Sequence, residues 1–401
     1  METKQQLIEE LLSRGVEKVY PSTDFLRKKL ESGEKLVVYL GADPSTPSLH
    51  IGHAIPLRKL ALFQKLGHKV IFLLGDFTAT IGDPDKLSVR VPLTREQVEE
   101  NAKLYKSQAA KFIDFEGENP AELKQNSVWL DKLSFRDVIS LAQHMTVQQM
   151  LERDMFQKRL NEERPIYLHE FLYPLMQGYD SVAMRVDGEL GGNDQTFNML
   201  AGRTLAKQLA GAEKFVLSTK LLADAEGVKM GKTTGNMISL TDTPEDMFGK
   251  VMSWTDGMIV PGFELCSDLP LEEIEGIKSE LGNGTNPRDL KLRLAYELVK
   301  LYDSEAGAEK GRAHFVIAIQ KKEIPDEIPE VEAGVGELLV EIVLRAKLAK
   351  SKSDYRRLLD EGAVSVRDGD KELPLSDPQF VVDRPLVVKI GKRRFLSIKI
   401  V

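Results

Sequence analysis

The chain has 401 residues, 42% hydrophobic and 29% charged, the composition of an ordinary globular protein with room for two or three cores. No apolar run is long enough to span a bilayer, no charged-then-apolar leader precedes Met1-Glu-Thr-Lys, and the single cysteine, Cys266, excludes a disulfide framework; a cytoplasmic protein with no membrane partner is expected. The net charge of −7 argues against indiscriminate coating of DNA or RNA, yet 14 Lys and Arg face 10 Asp and Glu from Val335 onward, against 41 and 52 before it.

Residues 4–14 and 23–32 have helical periodicity and stop at Gly15 and Gly33. A strand at 36–40, a helix at about 52–66 and a second apolar strand at 69–75 make a βαβ unit of the kind found in a buried parallel sheet. Thr94-x-x-Gln97, Ser134-x-x-Asp137 and Thr146-x-x-Gln149 have capping-box spacing, so 94–180 is expected to be a largely helical insertion. A third strand is expected at about 181–187, a helix at about 194–209, and a fourth strand at 214–219 before a loop around Lys229. The expected architecture is α/β, a doubly wound, Rossmann-like parallel sheet within residues 1–230. From 231 to 322 the pattern is helical, with Asn286-Pro287 opening one helix. The stretch 323–334 begins acidic and proline-punctuated and reads as a linker. The tail, 335–401, reads as a small α+β domain: helices at 337–349 and 353–361, then strands at 363–367 and 386–390, with Asp368-Gly369 as a hairpin turn.

Several stretches carry chemistry. His50-Ile-Gly52-His53 stands where a helix opens, and unpaired N–H groups and the helix dipole make such an end a phosphate site. Gly52 would let a nucleotide lie close to the backbone. Lys229-Met-Gly-Lys232-Thr233 places two lysines and a hydroxyl in a glycine-containing loop, suited to phosphate charge in a transition state. Tyr173, Gln177 and Asp180, spaced i, i+4 and i+7, share one helix face among apolar neighbours. Histidines 68, 144, 169 and 314 lack metal-ligand spacing, and no protein-bound metal is expected.

In their order along the chain these motifs resemble those of the class I aminoacyl-tRNA synthetases, and over nearly the whole length the resemblance is to the bacterial tyrosyl-tRNA synthetases. Tyr39 with Gly41-Ala-Asp43-Pro and His50 to His53 carries it first. Ile81-Gly-Asp83-Pro, Tyr173-x-x-x-Gln177-x-x-Asp180, Gly191-Gly192-Asn-Asp194-Gln195 and the lysine stretch complete it, with Gly231 where serine is commonest in the family.

The resemblance implies ATP-dependent activation of L-tyrosine to tyrosyl-adenylate with release of pyrophosphate, then transfer to the 3′-terminal adenosine of tRNA(Tyr). It implies that His50, His53, Lys229, Lys232 and Thr233 stabilise the phosphate being attacked. Asp83 would take the ammonium, Tyr173 and Gln177 would add hydrogen bonds, Tyr39 and Asp180 would hold the phenol, and Gln195 would lie near the carboxylate. ATP would lie along Gly41, Asp43, Ser45, His50, Gly52, His53, Gly192, Asp194, Lys229 and Lys232, with Mg2+ carried on its phosphates rather than in a protein cage. It also implies a homodimer through 94–180 and an anticodon-binding role for the helical region. The tail resembles an RNA-binding module of a ribosomal small-subunit protein, with Lys347, Lys350, Arg356, Arg357, Lys392, Arg393 and Arg394 on RNA phosphates. A donor and an acceptor at the phenol favour tyrosine over tryptophan. A tryptophanyl enzyme, a nucleotidylyltransferase and a synthetase-derived RNA-binding protein are the alternatives; each leaves one or more of these features unexplained.

Overall fold

The computed structural model describes residues 3–84, 92–224, 237–317, 328–368, 371–391 and 394–400. The chain divides into two compact units, Met1–Phe315 and Val316–Val401. In the first, a six-stranded sheet consists of β1 (Val16–Tyr20), β2 (Val37–Ala42), β3 (Lys69–Leu74), β4 (Glu122–Gln125), β5 (Gly188–Gly192) and β6 (Phe215–Thr219). Their spatial order is β1-β6-β5-β2-β3-β4, and the edge pair β1–β6 is the antiparallel one. The chain runs outward from β2 through β3 to β4, then crosses back to β5 and β6. Strand order therefore reverses between β2 and β5, and in open α/β sheets ligands bind outside the carboxyl ends of the strands at such a reversal.

Alternation along the central strands sorts side chains onto two faces. Val38, Leu40, Val70, Phe72 and Leu74 join the large core, while Tyr39, Ile71 and Leu73 join a smaller cluster with Val186 and Trp129. Both faces are covered, which is why these strands read as continuous apolar runs. The helices Lys4–Ser13, Thr23–Glu31 and Ile51–Lys65 and the strands β2, β3 and β6 stand within two residues of their expected places. The three expected capping boxes are formed, at Thr94, Ser134 and Thr146.

Three expectations are corrected here. The strand expected at about 181–187 is mostly helix: Leu168–Met184 is continuous, and Arg185, in the left-handed region at φ 52, ends it before β5. The apolar run there serves helix packing, because Leu168–Met184 lies close against the helix Thr196–Ala210. A Cβ on Gly178 would stand 3.1 Å from the amide nitrogen of Gly202. The insertion also contains β4, whose sequence Glu-Leu-Lys-Gln has little strand propensity and which pairs with the β3 edge through its backbone. Finally, β1 supplies an edge strand where no strand was expected.

Five helices from Pro244–Met252 to Glu305–Phe315 share one continuous core with the sheet, so no packing break separates the region expected as a domain of its own. Arg14 helps join them. Its guanidinium donates to the carbonyls of Phe263, Glu264, Ser267 and Leu269, satisfying the end of the helix Ile259–Cys266.

The second unit packs the helices Leu339–Arg345 and Lys352–Asp360 with seven strands: β7 (Glu330–Ala333), β8 (Glu337–Leu338), β9 (Val364–Asp368), β10 (Lys371–Pro374), β11 (Val381–Val382), β12 (Leu386–Ile390) and β13 (Arg394–Ile400). Five make a sheet in the order β10-β9-β12-β13-β7, and β11 pairs with β8. The stretch expected as linker therefore ends inside this fold, since β7 pairs in parallel with β13. The expected helix 337–349 is shortened by β8 at its start and by Lys347 at φ 57. β9 and β10 pair as expected of a hairpin, with Lys371 opposite Asp368; the turn residues lie outside the described residues. Among the described residues no helix is long and apolar enough to cross a membrane.

Candidate active site

The described residues expected to bind tyrosine and ATP gather at the carboxyl ends of β2, β3 and β5 and on the helices beside them. His50 is the N-cap of the helix Ile51–Lys65, and its Nδ1 accepts the amide N–H of Gly52 at 3.1 Å. His53 returns the contact, its Nδ1 accepting the amide N–H of His50 at 3.1 Å. The two imidazoles lie with ring centroids 3.9 Å apart. With both Nδ1 atoms acting as acceptors, each neutral ring carries its proton on Nε2, so both are N–H donors on that side. A Cβ on Gly52 would come within 2.9 Å of the His50 ring. The glycine's first service is thus to the histidine that folds over it, where the sequence reading reserved the space for nucleotide.

The loop between β2 and this helix is pinned by a stripe the sequence reading did not single out. Asn101 donates to the carbonyl of Pro44, Tyr105 to that of Thr46, and Gln108 accepts the amide of Leu49, at 2.9, 2.9 and 2.7 Å. Their i, i+4, i+7 spacing is the signal that could have found them. Residues 238–240 add a short antiparallel contact: the amide of Ile51 donates to Ile238, and that of Leu240 to Leu49. Lys229, Lys232 and Thr233 lie outside the described residues.

Toward the sheet reversal, Asp43 accepts hydrogen bonds from the Tyr173 hydroxyl at 2.9 Å and the Thr78 hydroxyl at 2.7 Å. A Cβ on Gly75 would stand 1.9 Å from the Asp43 Oδ1, so the bare backbone at the end of β3 is what makes room for this carboxylate. Asn126 donates to Thr78 and also to Asp180, whose other oxygen accepts the Trp129 indole N–H at 2.8 Å. Burial pushes the Asp180 carboxyl well above the usual range, against the two donors that favour its charge. Asp43, expected on the ATP side, thus links to Tyr173 and, through Thr78 and Asn126, to Asp180.

Asp83 is buried and fully engaged. One oxygen accepts Arg153 Nη2 at 2.9 Å, and the other accepts Gln195 Nε2 at 2.6 Å; Asn198 in turn donates to Gln195. Charges at Asp43 and Asp83 add to burial in raising the Tyr173 phenol well above its ordinary value, which places both carboxylates near that hydroxyl. Arg153 and Asn198 were missed; an arginine between Glu152 and Asp154 carries no sequence mark of burial.

Tyr39 is fully buried, and its hydroxyl lies 3.1 Å from Ser181 Oγ. Its phenol is raised by burial first and then by the charges of Glu189 and Asp180. Beneath it, Lys214 pairs with Glu189 and donates to Ser181 at 2.7 Å, while Gln177 donates to Glu189 at 3.1 Å. Tyr39 and Asp180, expected to share one phenol, are neighbours held by different partners. At the end of β5, exposed Asp194 turns back over Gly192, where a Cβ would stand 2.6 Å from its Oδ1. Gly41 and Ser45 are exposed at the end of β2 and in the loop after it.

In the second unit Lys347, Lys350, Arg356 and Arg357 are exposed, Arg357 between Asp354 and Glu361. Arg394 donates to the carbonyl of Leu348, and Lys392 and Arg393 lie outside the described residues. Among the described residues no group of three or more His, Cys, Asp or Glu could hold a metal ion.

Comparison with known proteins identifies the family. The family model for class I tRNA synthetases (W and Y) matches residues 31–318. The tyrosine–tRNA ligase of Carboxydothermus hydrogenoformans is 44% identical, over 99% of this chain and 98% of that one. That of Thermotoga maritima is also 44% identical, over 97% and 96%. Among solved structures, a C-terminally truncated mitochondrial tyrosyl-tRNA synthetase from Coccidioides posadasii has 25% identity and a TM-score of 0.61, covering 78% of this chain and 92% of its own. One from Archaeoglobus fulgidus, complexed with L-tyrosine, is alike in fold at 22% identity and a TM-score of 0.61, over 77% and 100%. On the family match and the near full-length identity, the chain belongs to the class I aminoacyl-tRNA synthetases, among the bacterial tyrosyl-tRNA synthetases.

Proposed function

We propose that this tyrosine–tRNA ligase binds L-tyrosine between Tyr39 and Asp180 at the phenol end and Asp83 at the ammonium end. ATP then lies along Gly41, Asp43, Ser45, Gly192 and Asp194, with its phosphates at His50 and His53. One observation supports the amino-acid reading above others. Of the buried side-chain atoms without a hydrogen-bond partner among the described residues, three belong to this cluster: Gln177 Oε1, Asn198 Oδ1 and Arg153 Nη1. Orphaned buried polar atoms cost about 1–3 kcal/mol each, so a cluster of them suits a polar ligand. A site with a phenol acceptor at one end and an anion at the other fits tyrosine, and rejects phenylalanine by leaving polar groups unpaired.

In the proposed first step the tyrosine carboxylate attacks the α-phosphate of ATP and pyrophosphate leaves. The nucleophile is already ionised, so no general base is assigned. The chain's part is orientation and charge stabilisation: the two Nε2–H donors and the helix start face phosphate, with Lys229, Lys232 and Thr233 proposed beside them. Gly192 and Asp194 are proposed at the adenosine ribose and Gln195 at the carboxylate. Magnesium is proposed to enter on ATP's phosphate oxygens, and no side chain is assigned to it. Transfer RNA is proposed to meet the exposed basic residues of the second unit and the helices of 244–315, in the cytoplasm.

A homodimer is proposed through the 94–180 region. Its support is that this stretch exposes several large apolar side chains, among them Phe135 at 81% and Leu168 at 84% exposure, with Val128, Ile139, Val147 and Leu160. Phe135 and Ile139 share a face of one helix. Equilibrium sedimentation is expected to give twice the chain mass at micromolar concentration, and a monomer there sinks the dimer. For the reaction, pyrophosphate exchange into ATP is expected with tyrosine and with none of the other nineteen amino acids at comparable rate. Exchange led by tryptophan, or none at all, would overturn the assignment.

A further inference from the structure

We infer that Arg153 is a substrate-contacting residue that takes the carboxylate of the bound amino acid. The inference rests on the reading that Asp83 receives the ammonium, and it begins from how the guanidinium is held. Arg153 is buried, at 7% exposure, with its guanidinium carbon 5.7 and 5.6 Å from the ring centroids of Phe156 and Phe197. Nη2 donates to Asp83 at 2.9 Å. Nη1 is also buried and has no hydrogen-bond partner among the described residues. The guanidinium charge acts on the Tyr173 hydroxyl, lowering a phenol that its other surroundings raise.

A fixed, planar cation with one nitrogen engaged and the other idle is an anion-binding fork. Leaving a charged donor buried without an acceptor is costly unless a ligand supplies one. The candidate anions are the amino acid's carboxylate and a phosphate of ATP. The phosphates have the helix start and the two histidines, whereas Arg153 is bonded directly to the carboxylate proposed for the ammonium. An α-amino acid bears its ammonium and carboxylate on one carbon. A buried anion and cation one hydrogen bond apart, Asp83 and Arg153, are the reverse of that pair. When substrate enters, Asp83 exchanges part of its bond to Arg153 for the ammonium, and Arg153 gains the carboxylate, so the net charge of the pocket is unchanged.

Equilibrium binding to the full chain without ATP tests this, using L-tyrosine and tyramine, which keeps the phenol and ammonium but lacks the carboxylate. Arg153→Met is expected to weaken L-tyrosine by roughly 10- to 100-fold, the range for losing a charged hydrogen bond. Tyramine is expected to bind equally well or tighter, because Asp83 has lost its rival cation. Equal weakening of both ligands would mean that Arg153 only positions Asp83, and no weakening of either would place it outside the site; each overturns the inference. Arg153→Lys serves if the methionine variant fails to fold: an ammonium keeps the charge but lacks the planar fork and reach that let one guanidinium span Asp83 and the ligand, so L-tyrosine again weakens relative to tyramine, by less. Asp83→Asn separates the underlying reading. If it leaves tyramine affinity unchanged, the ammonium is not at Asp83, and that reading fails first.

Discussion

The two ends of the candidate site are built by different means. The histidine corner is held by backbone: a helix N-terminus, two amides captured by two imidazoles, and a short strand-like contact from residues 238–240. The amino-acid end is held by side chains from distant parts of the chain, with buried carboxylates at Asp83, Asp180 and Glu189 satisfied by Arg153, Gln195, Asn126, Trp129 and Lys214. A backbone-built corner can tolerate exposure and still present fixed donors, which suits a large, charged ligand that arrives in water. A side-chain-built pocket must keep every charge paired once water is excluded. On the proposed reading, selectivity among amino acids belongs to the second region and phosphate chemistry to the first.

That contrast can be broken in three places. The largest effect is expected at Lys214, whose pair with Glu189 is fully buried: Lys214→Met should cost about 3–5 kcal/mol of stability in chemical denaturation, because it strands a carboxylate beneath Tyr39. Pairing it with Glu189→Gln should restore much of the loss, and a single variant as stable as the parent would show that the pocket floor does not depend on charge pairing. Next, Asp180→Ala should lower kcat/KM for tyrosine by about 100-fold while leaving KM for ATP within about threefold. Comparable losses for the two substrates would erase the division between the ends. The smallest is Gly52→Ala. The new methyl would stand 2.9 Å from the His50 ring and displace it, so the rate of activation should fall by about 10-fold with tyrosine affinity unchanged. A tyrosine affinity that moved with the rate would join the two regions into one.

The same contrast governs how much could be read from sequence. The corner was legible because its parts are neighbours in the chain: a strand, a loop and a helix start within 39–53, with capping geometry that depends on local backbone. The stripe Tyr173, Gln177 and Asp180 was legible for the same reason, since helical periodicity puts such residues on one face. Their partners were not. Nothing local distinguishes Arg153, Trp129 or Lys214 from solvated residues, and each acquires its meaning only when the fold brings it to a carboxylate 25 to 70 residues away. The strand β4 was hidden likewise, because the edge of β3 recruits its backbone with little help from its side chains. At 181–187 the apolar run suited either a strand or the end of a buried helix, and it was the packing of Gly178 on Gly202 that decided.

Gly75 makes room for Asp43, and the consequence is evolutionary. With a methyl group only 1.9 Å from Asp43 Oδ1, no residue other than glycine fits at 75 while Asp43 keeps its bonds to Tyr173 and Thr78. Gly75 cannot drift while Asp43 stays: a lineage that altered Gly75 would lose Asp43's placement before any second change could compensate. Asp43 should therefore be inherited only alongside Gly75, a constraint between residues 32 positions apart that neither shows by itself.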